Sequence, residues 1–349
     1  MNDVVTPVIA RLLRREVVAP DDLAAALTEI LEGRVSDVQS AGFIVALRAK
    51  GETVAEMAAL VGTMRRFATH VDVVAEAIDT CGTGGDRAGT VNVSTMAALI
   101  AAGAGVRVVK HGNRAASSHC GSADVLEALG VAIELGPDGV AACVDAAGIG
   151  FCFAPRYNPA MRFLGPARKE LGVPTTFNFL GPLINPARVR RQVIGVSDTA
   201  MAQTMLGTLG ELGADHAMVF YGDDGLDELT TTTTSTVHEL VGTAIRTYRI
   251  DPTEFGIDLA DARALMGGDA AANADHVRSV LAGDKGAHRD IAVLNTGAAL
   301  VVAGIAADIE GGVEAARAAI DNGKAAAALA ALVETSTKAK ASEIEVEAS

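Results

Sequence analysis

Asp79-Thr-Cys-Gly-Thr-Gly-Gly-Asp86, followed by Thr90 and by Asn92-Val-Ser-Thr95 at the head of an apolar run, is the stretch on which the reading of this 349-residue chain turns. Gly82, Gly84 and Gly85 let backbone N–H groups turn inward and come close to a polyanion. A helix opening after Ser94 adds the positive end of its dipole to the same place. A strand, a glycine turn and a helix in that order describe a phosphate cradle, although the same turn also serves as an ordinary strand-to-helix connection. No Gly-Lys-Ser/Thr closes it as in a Walker A loop, and the G-x-G-x-x-G spacing is absent.

Outward from the cradle, short apolar runs at 106–109, 150–153, 193–196 and 217–221 alternate with helix-length segments. Such alternation predicts a mostly parallel sheet flanked by helices. Upstream, only helices are signalled: Leu23 to Leu31 follow Asp21 and Asp22, while Ser36 with Gln39 and Thr53 with Glu56 have capping-box spacing. After Ser36, Val38, Ala41, Gly42 and Val45 form one helical stripe. The organisation predicted is an all-helical domain over 1–71, an α/β domain over 72–335 and a charged, frayed tail over 336–349, with helices beyond Asp261 free to complete either domain.

Half of the residues are apolar and 21% are charged, which excludes a disordered chain. With no Trp, 3 Tyr and 9 Phe, aromatic platforms for stacking bases are scarce. A net charge of −14 disfavours general nucleic-acid binding, so any phosphate site must be local. Cys81, Cys120, Cys143 and Cys152 form no C-x-x-C pair, which suits a reducing compartment and a cytoplasmic location. The uncharged run at 88–106 is broken by polar residues and glycines, so a buried core helix is expected there and no membrane span.

Three further segments carry chemistry. Val109-Lys-His-Gly-Asn-Arg-Ala-Ala-Ser-Ser118 puts Lys110 and Arg114 among donors just after a strand, where an α/β sheet binds ligands and where cations would balance phosphate charge. Arg162 and Arg168 follow Phe153-Ala-Pro-Arg-Tyr-Asn-Pro-Ala-Met161, and either guanidinium could grip a small carboxylate in bidentate fashion. Tyr221-Gly-Asp-Asp-Gly-Leu-Asp-Glu228 packs four acids into six residues, and Asp227 with Glu228 are hard oxygen ligands of the kind Mg²⁺ shares with phosphates. No nucleophile–base pattern for covalent catalysis is present. Cradle, basic loop and acid pair together indicate an enzyme that handles a sugar phosphate or diphosphate.

GTGGD, NVST, KHGNR, FNFLGPLINP and DGLDE, in this order and spacing, resemble the anthranilate phosphoribosyltransferase family over nearly the whole chain, through Arg289 to Asn295. The resemblance implies a small helical domain beside a larger α/β domain of nucleoside phosphorylase/phosphoribosyltransferase-like fold, a homodimer through the helical domains, and no nucleic-acid or membrane partner. It implies transfer of 5-phosphoribosyl from 5-phosphoribosyl 1-pyrophosphate (PRPP) to the amine of anthranilate. The PRPP site implied comprises Gly82, Gly85, Asp86, Thr90, Asn92, Val93, Ser94, Thr95, Lys110, His111, Gly112, Asn113, Arg114, Ala115, Ala116, Ser117, Ser118 and Ser122. Ser94, Asp227 and Glu228 would hold Mg²⁺, Gly82, Asn113 and Arg168 would meet anthranilate, and Lys110 and Asp86 would act on the reaction itself. Asn158 stands where many members carry histidine, and Cys120 where serine is usual. A pyrimidine-nucleoside phosphorylase and a non-catalytic nucleic-acid-binding relative of the same fold are the alternatives.

Overall fold

The computed structural model describes residues 2–73, 76–115 and 119–348. Four helices open the chain: α1 (Val5–Leu13), α2 (Pro20–Leu31), α3 (Asp37–Lys50) and α4 (Val54–Phe67). Pro20 starts α2 at the position where a missing N–H is harmless, with Asp21 and Asp22 in its first turn. Thr53 and Glu56 form the reciprocal capping box on α4: Thr53 N–H donates to Glu56 Oε2 at 2.9 Å and Glu56 N–H to Thr53 Oγ1 at 3.3 Å. At α3 only half of the expected box forms. Ser36 accepts from Gln39 N–H, but the Gln39 amide donates to Thr6 Oγ1 on α1 instead of turning back.

Of the stripe Val38, Ala41, Gly42 and Val45, only Ala41 and Gly42 are partly buried, Ala41 against the core and Gly42 beside Ile9. Val38 is 82% and Val45 44% exposed, while Phe43, Ile44 and Leu47, on the opposite side of the helix, are buried. The apolar residues of α3 therefore occupy two faces, and only one is covered within the chain.

The sheet has seven strands: β1 (Ile78–Gly82), β2 (Val108–Gly112), β3 (Ile149–Phe153), β4 (Arg191–Gly195), β5 (His216–Gly222), β6 (Ser235–Val241) and β7 (Ala244–Ile250). Their order is β3-β2-β1-β4-β5-β6-β7. The first five run parallel, with Ile78 beside both Val108 and Arg191, and β6 and β7 close the sheet as an antiparallel hairpin. The four apolar runs predicted as strands lie in or overlap β2 to β5. The hairpin escapes the sequence reading because β6 is rich in Ser, Thr, His and Glu and β7 is largely exposed.

The chain leaves β1 toward β2 on one side and later returns to β4 on the other, so the loops after β1 and β4 part at a switch point, where open α/β sheets take ligands. Helix α5 (Val93–Gly103) is buried along nearly its whole length, as its uncharged sequence requires.

Two apolar cores result. One surrounds α5 and takes in the helices Ala270–Leu281, Ala287–Val302, Ile309–Asp321 and Lys324–Ala348, so the late helices complete the α/β domain. The other combines α1 to α4 with Leu164, Phe177, Leu183 and Met205, residues that follow β3 and β4. Residues 336–348 continue the last helix and do not form a separate frayed tail: Ser336 is buried, and Glu343 accepts from Gly136 N–H at 2.7 Å. Among the described residues no helix is long and apolar enough to cross a membrane.

Candidate active site

The glycine turn after β1 is held from both sides of the switch point. Thr83 N–H donates to Gly195 O at 2.9 Å, and Ser197 Oγ, just beyond β4, donates to Gly84 O at 2.9 Å. Gly84 and Gly85 adopt φ of 68° and 90°, the left-handed region in which side chains are strained. Gly84 N–H donates to Asp227 Oδ2 at 2.6 Å, so the acid pair from the loop after β5 sits directly on the cradle. A Cβ on Gly82 would lie 2.4 Å from Asp227 Oδ2, and one on Gly195 would lie 1.6 Å from Asp227 O. Both positions need glycine because a second chain segment crosses against them. Gly195 is absent from the sequence-derived site; nothing in its own strand signals that a loop passes there.

Of the four clustered acids, only two face the cradle. Asp223 pairs with Arg249 and accepts from Thr234 at 2.7 Å, while Asp224 accepts from Thr230 Oγ1 at 2.6 Å. Asp227 and Glu228 are buried, and Asn295 in the helix behind fixes the next residue by exchanging two 2.9 Å bonds with Leu229 N–H and O. Burial raises Asp227 to about 7, helped by the neighbouring Asp86 charge. Burial and Asp227 raise Glu228 well above its ordinary value, opposed by Lys110 and by the Ser94 N–H. An adjacent buried acid pair of this kind calls for a cation. Among the described residues no group of three or more His, Cys, Asp or Glu side chains forms a complete metal cage. An all-oxygen set of two carboxylates with the Ser94 hydroxyl fits Mg²⁺ that draws its remaining ligands from water and phosphate.

Lys110 is 1% exposed. Its Nζ donates to Thr80 O at 2.6 Å and Ser94 Oγ at 3.2 Å, so its charge reaches the cradle from beneath, through Ser94 and Glu228. Asn92, Val93, Ser94 and Thr95 form the first turn of α5, which has no side-chain cap; Asn92 Oδ1 and Thr95 Oγ1 are buried without partners. Orphaned buried oxygens at a helix start mark a place for a polar ligand. Thr90 bridges to Met266, tying the far end of the turn to the rest of the domain.

Beyond β2, Asp124 organises the basic loop by accepting from Ala115 N–H at 3.0 Å and Gly121 N–H at 2.9 Å. Arg114 is committed to Asp124 and Glu127, at 2.9 and 2.8 Å. Ser122 Oγ lies 3.4 Å from Asn113 O, and a Cβ on Gly112 would strike that hydroxyl at 2.2 Å. Ala116, Ser117 and Ser118 lie outside the described residues.

On the acceptor side, Arg168 is half-buried in the helix Gly165–Leu171, forms no ion pair among the described residues, and burial alone draws its guanidinium below the ordinary value. Arg162 is exposed and stacked on Phe163, 4.7 Å from the ring centre. An unpaired, partly desolvated guanidinium is the better carboxylate grip.

Residues 6–68 match the family described as glycosyl transferase family, helical bundle domain, and residues 74–326 match the glycosyl transferase family, a/b domain. Anthranilate phosphoribosyltransferase of Chloroflexus aggregans is 50% identical over 91% of this chain and 94% of its own length, and that of Nocardioides sp. is 52% identical over 92% and 96%. The chain belongs to the anthranilate phosphoribosyltransferase family. The crystal structure of anthranilate phosphoribosyltransferase from Thermus thermophilus superposes with a TM-score of 0.90 at 40% identity, covering 96% of this chain and all of that one. The Saccharomyces cerevisiae anthranilate phosphoribosyltransferase in complex with PRPP and Mg gives 0.89 at 25% identity, covering 97% and 99%.

In this member of the anthranilate phosphoribosyltransferase family, Asn158 is buried against the basic loop. Its Nδ2 lies 3.3 Å from His111 Nε2, and His111 Nδ1 lies 3.0 Å from Gly181 O. Nδ1–H donating to the carbonyl and Nε2 accepting from Asn158 satisfy a neutral ring, and burial lowers His111 to about 4.

Proposed function

We propose that this chain transfers the 5-phosphoribosyl group of PRPP to the amine of anthranilate and releases pyrophosphate. The observation that carries the reading is the 2.6 Å contact of Gly84 N–H with Asp227, which brings glycine turn and acid pair to one place at the switch point. The pyrophosphate of PRPP lies on the glycine turn and the first turn of α5, between Asp86, Thr90, Asn92 to Thr95 and the loop from Lys110 to Ser122. Ser94, Asp227 and Glu228 hold Mg²⁺, which supplies charge neutralisation for the departing pyrophosphate. Lys110, acting through Ser94, and the turn amides stabilise the negative charge that grows as the ribose C1–O bond breaks. Asp86, beside Asp227, faces the same charge.

Arg168 takes the anthranilate carboxylate, Gly82 and Asn113 flank the ring, and the ortho amine, already neutral near pH 7, is aimed at C1. Positioning does the work that a general base does elsewhere. Turnover is read directly as loss of anthranilate fluorescence with PRPP and Mg²⁺ present; phosphorolysis of a pyrimidine nucleoside without anthranilate consumption would overturn the assignment. Arg168→Ala is expected to raise the KM for anthranilate roughly 30-fold, the value of a charge-assisted pair of about 2 kcal/mol, and to leave the KM for PRPP within about twofold. An equal rise in both would remove Arg168 from the acceptor site.

The chain assembles as a homodimer through its helical domain. The support is the uncovered apolar face of α1 and α3, with Leu13 71% and Val38 82% exposed. Val38→Glu should convert the dimer to a monomer in sedimentation velocity; an unchanged dimer would place the contact elsewhere. Four free, buried thiols suit the cytoplasm.

A further inference from the structure

At the junction of the two domains, at the end of the sheet opposite the cradle, lie three basic residues that form no ion pair among the described residues. Arg65, near the end of α4, donates from Nη2 to Leu183 O at 2.8 Å. Arg188, shortly before β4, places Nη2 2.5 Å from His70 Nε2. Since that nitrogen accepts from Arg188, the neutral His70 ring carries its proton on Nδ1. Both His70 Nδ1 and Arg65 Nε are buried and have no hydrogen-bond partner, which leaves two donor N–H groups unsatisfied.

An unpartnered buried donor loses its hydration with nothing in return, so two in one cluster need an explanation. The charges sharpen the need. Burial, and then the like charge of Arg188, draw the Arg65 guanidinium below its ordinary value, and no ion pair among the described residues offsets them. In a chain of net charge −14, basic side chains left without acids are conspicuous. Arg188 also holds φ at 52°, a left-handed conformation that strains a non-glycine residue. The backbone is bound in place around it: Arg188 N–H donates to Asn185 O at 2.9 Å, and Val71 N–H to Pro186 O at 3.3 Å.

We propose that Arg65, His70 and Arg188 form a binding site for a phosphate-class oxyanion, separate from the PRPP cradle. The anion accepts from Arg65 Nε–H, His70 Nδ1–H and the exposed Arg188 fork, and the Arg188 side chain swings to admit it. Bound there, it braces α4 against the segment that carries Leu183 and Asn185. Asn185 in turn donates to Asp79 and to Val109 O, at 2.8 Å each, under the strands of the active site.

The test is a thermal melt of the intact protein titrated with inorganic phosphate, with acetate at matched ionic strength as the second arm. Wild type is expected to show a saturable rise of roughly 2 °C with phosphate and none with acetate. Arg188→Gln, at an exposed position, and His70→Gln, at a half-buried one, both outside the cradle, should lose at least two thirds of that rise while keeping wild-type kcat. Because the cradle can also take phosphate, the difference between wild type and variants is the quantity read. An equal rise in the variants, an equal rise with acetate, or no rise in wild type would each overturn the proposal.

Discussion

Gly195→Ala is expected to leave a folded chain whose kcat/KM is lower by roughly 10³-fold. The added methyl would sit 1.6 Å from Asp227 O and 2.4 Å from Asp227 C, which are backbone atoms that no rotamer change can clear. Either β4 or the acid loop must retreat by more than an ångström. β4 is pinned in register between β1 and β5, so the loop is the part that yields. Its retreat breaks the Asp227 contact with Gly84 N–H and parts the acid pair from Ser94. A displacement of about 1 Å in a reacting array costs about 10²-fold, and loss of a charge-stabilising group another 10-fold or more. Circular dichroism and the Mg²⁺ dependence of turnover read the two halves of the expectation; a variant with near-wild-type kcat/KM would show that the crossing at Gly195 does not position the acids.

Asp227→Asn combined with Glu228→Gln should lower Mg²⁺-dependent turnover by about 10²- to 10³-fold, on the scale of removing preorganised charge from a transition state, and should alter stability in the opposite direction. Asp227 has a native value near 7 and Glu228 one well above the ordinary range, both higher than in the unfolded chain. Between about pH 4, where unfolded carboxylates titrate, and pH 7, the native protein therefore binds more protons than the unfolded one. Stability contributed by these groups is present at low pH and falls as pH rises through that window. The metal-free wild type should lose melting temperature from pH 5 toward 7.5 and recover it when Mg²⁺ is added. In the amide double variant both the slope from this pair and the Mg²⁺ response should disappear. An unchanged Mg²⁺ response would take the two residues out of the metal site.

Much of this was legible in the sequence for a physical reason. The glycine turn, the basic loop and the acid loop are contiguous, and contiguous chemistry survives being read as a string. Alternating apolar runs disclosed β2 to β5 because strands buried on both faces are nearly continuous hydrophobic segments. What stayed hidden depends on chain crossings and on partner choice. Gly195 looks like any strand glycine until the acid loop is seen to cross it. Arg114 looks like a phosphate cation until Asp124 and Glu127 are found holding it. Lys110 reads as an open contact, yet it lies under Thr80 and Ser94. The stripe on α3 has the period of a buried face, and periodicity alone cannot say whether the covering surface belongs to the same chain.

The existence of two apolar cores has a further consequence for how the molecule can change over time. Val91, Val93 and Met96, beneath the cradle, pack into one; Leu164, Ala167 and Phe177, around Arg168, pack into the other together with α1 to α4. β1 and β4 contribute to both cores, Ile78 and Val193 to the first and Cys81 and Ile194 to the second, so a substitution in the helical half reaches the strands that carry the glycine turn. Selection acting on either half therefore turns a shared dial, because the strands beneath the turn belong to both.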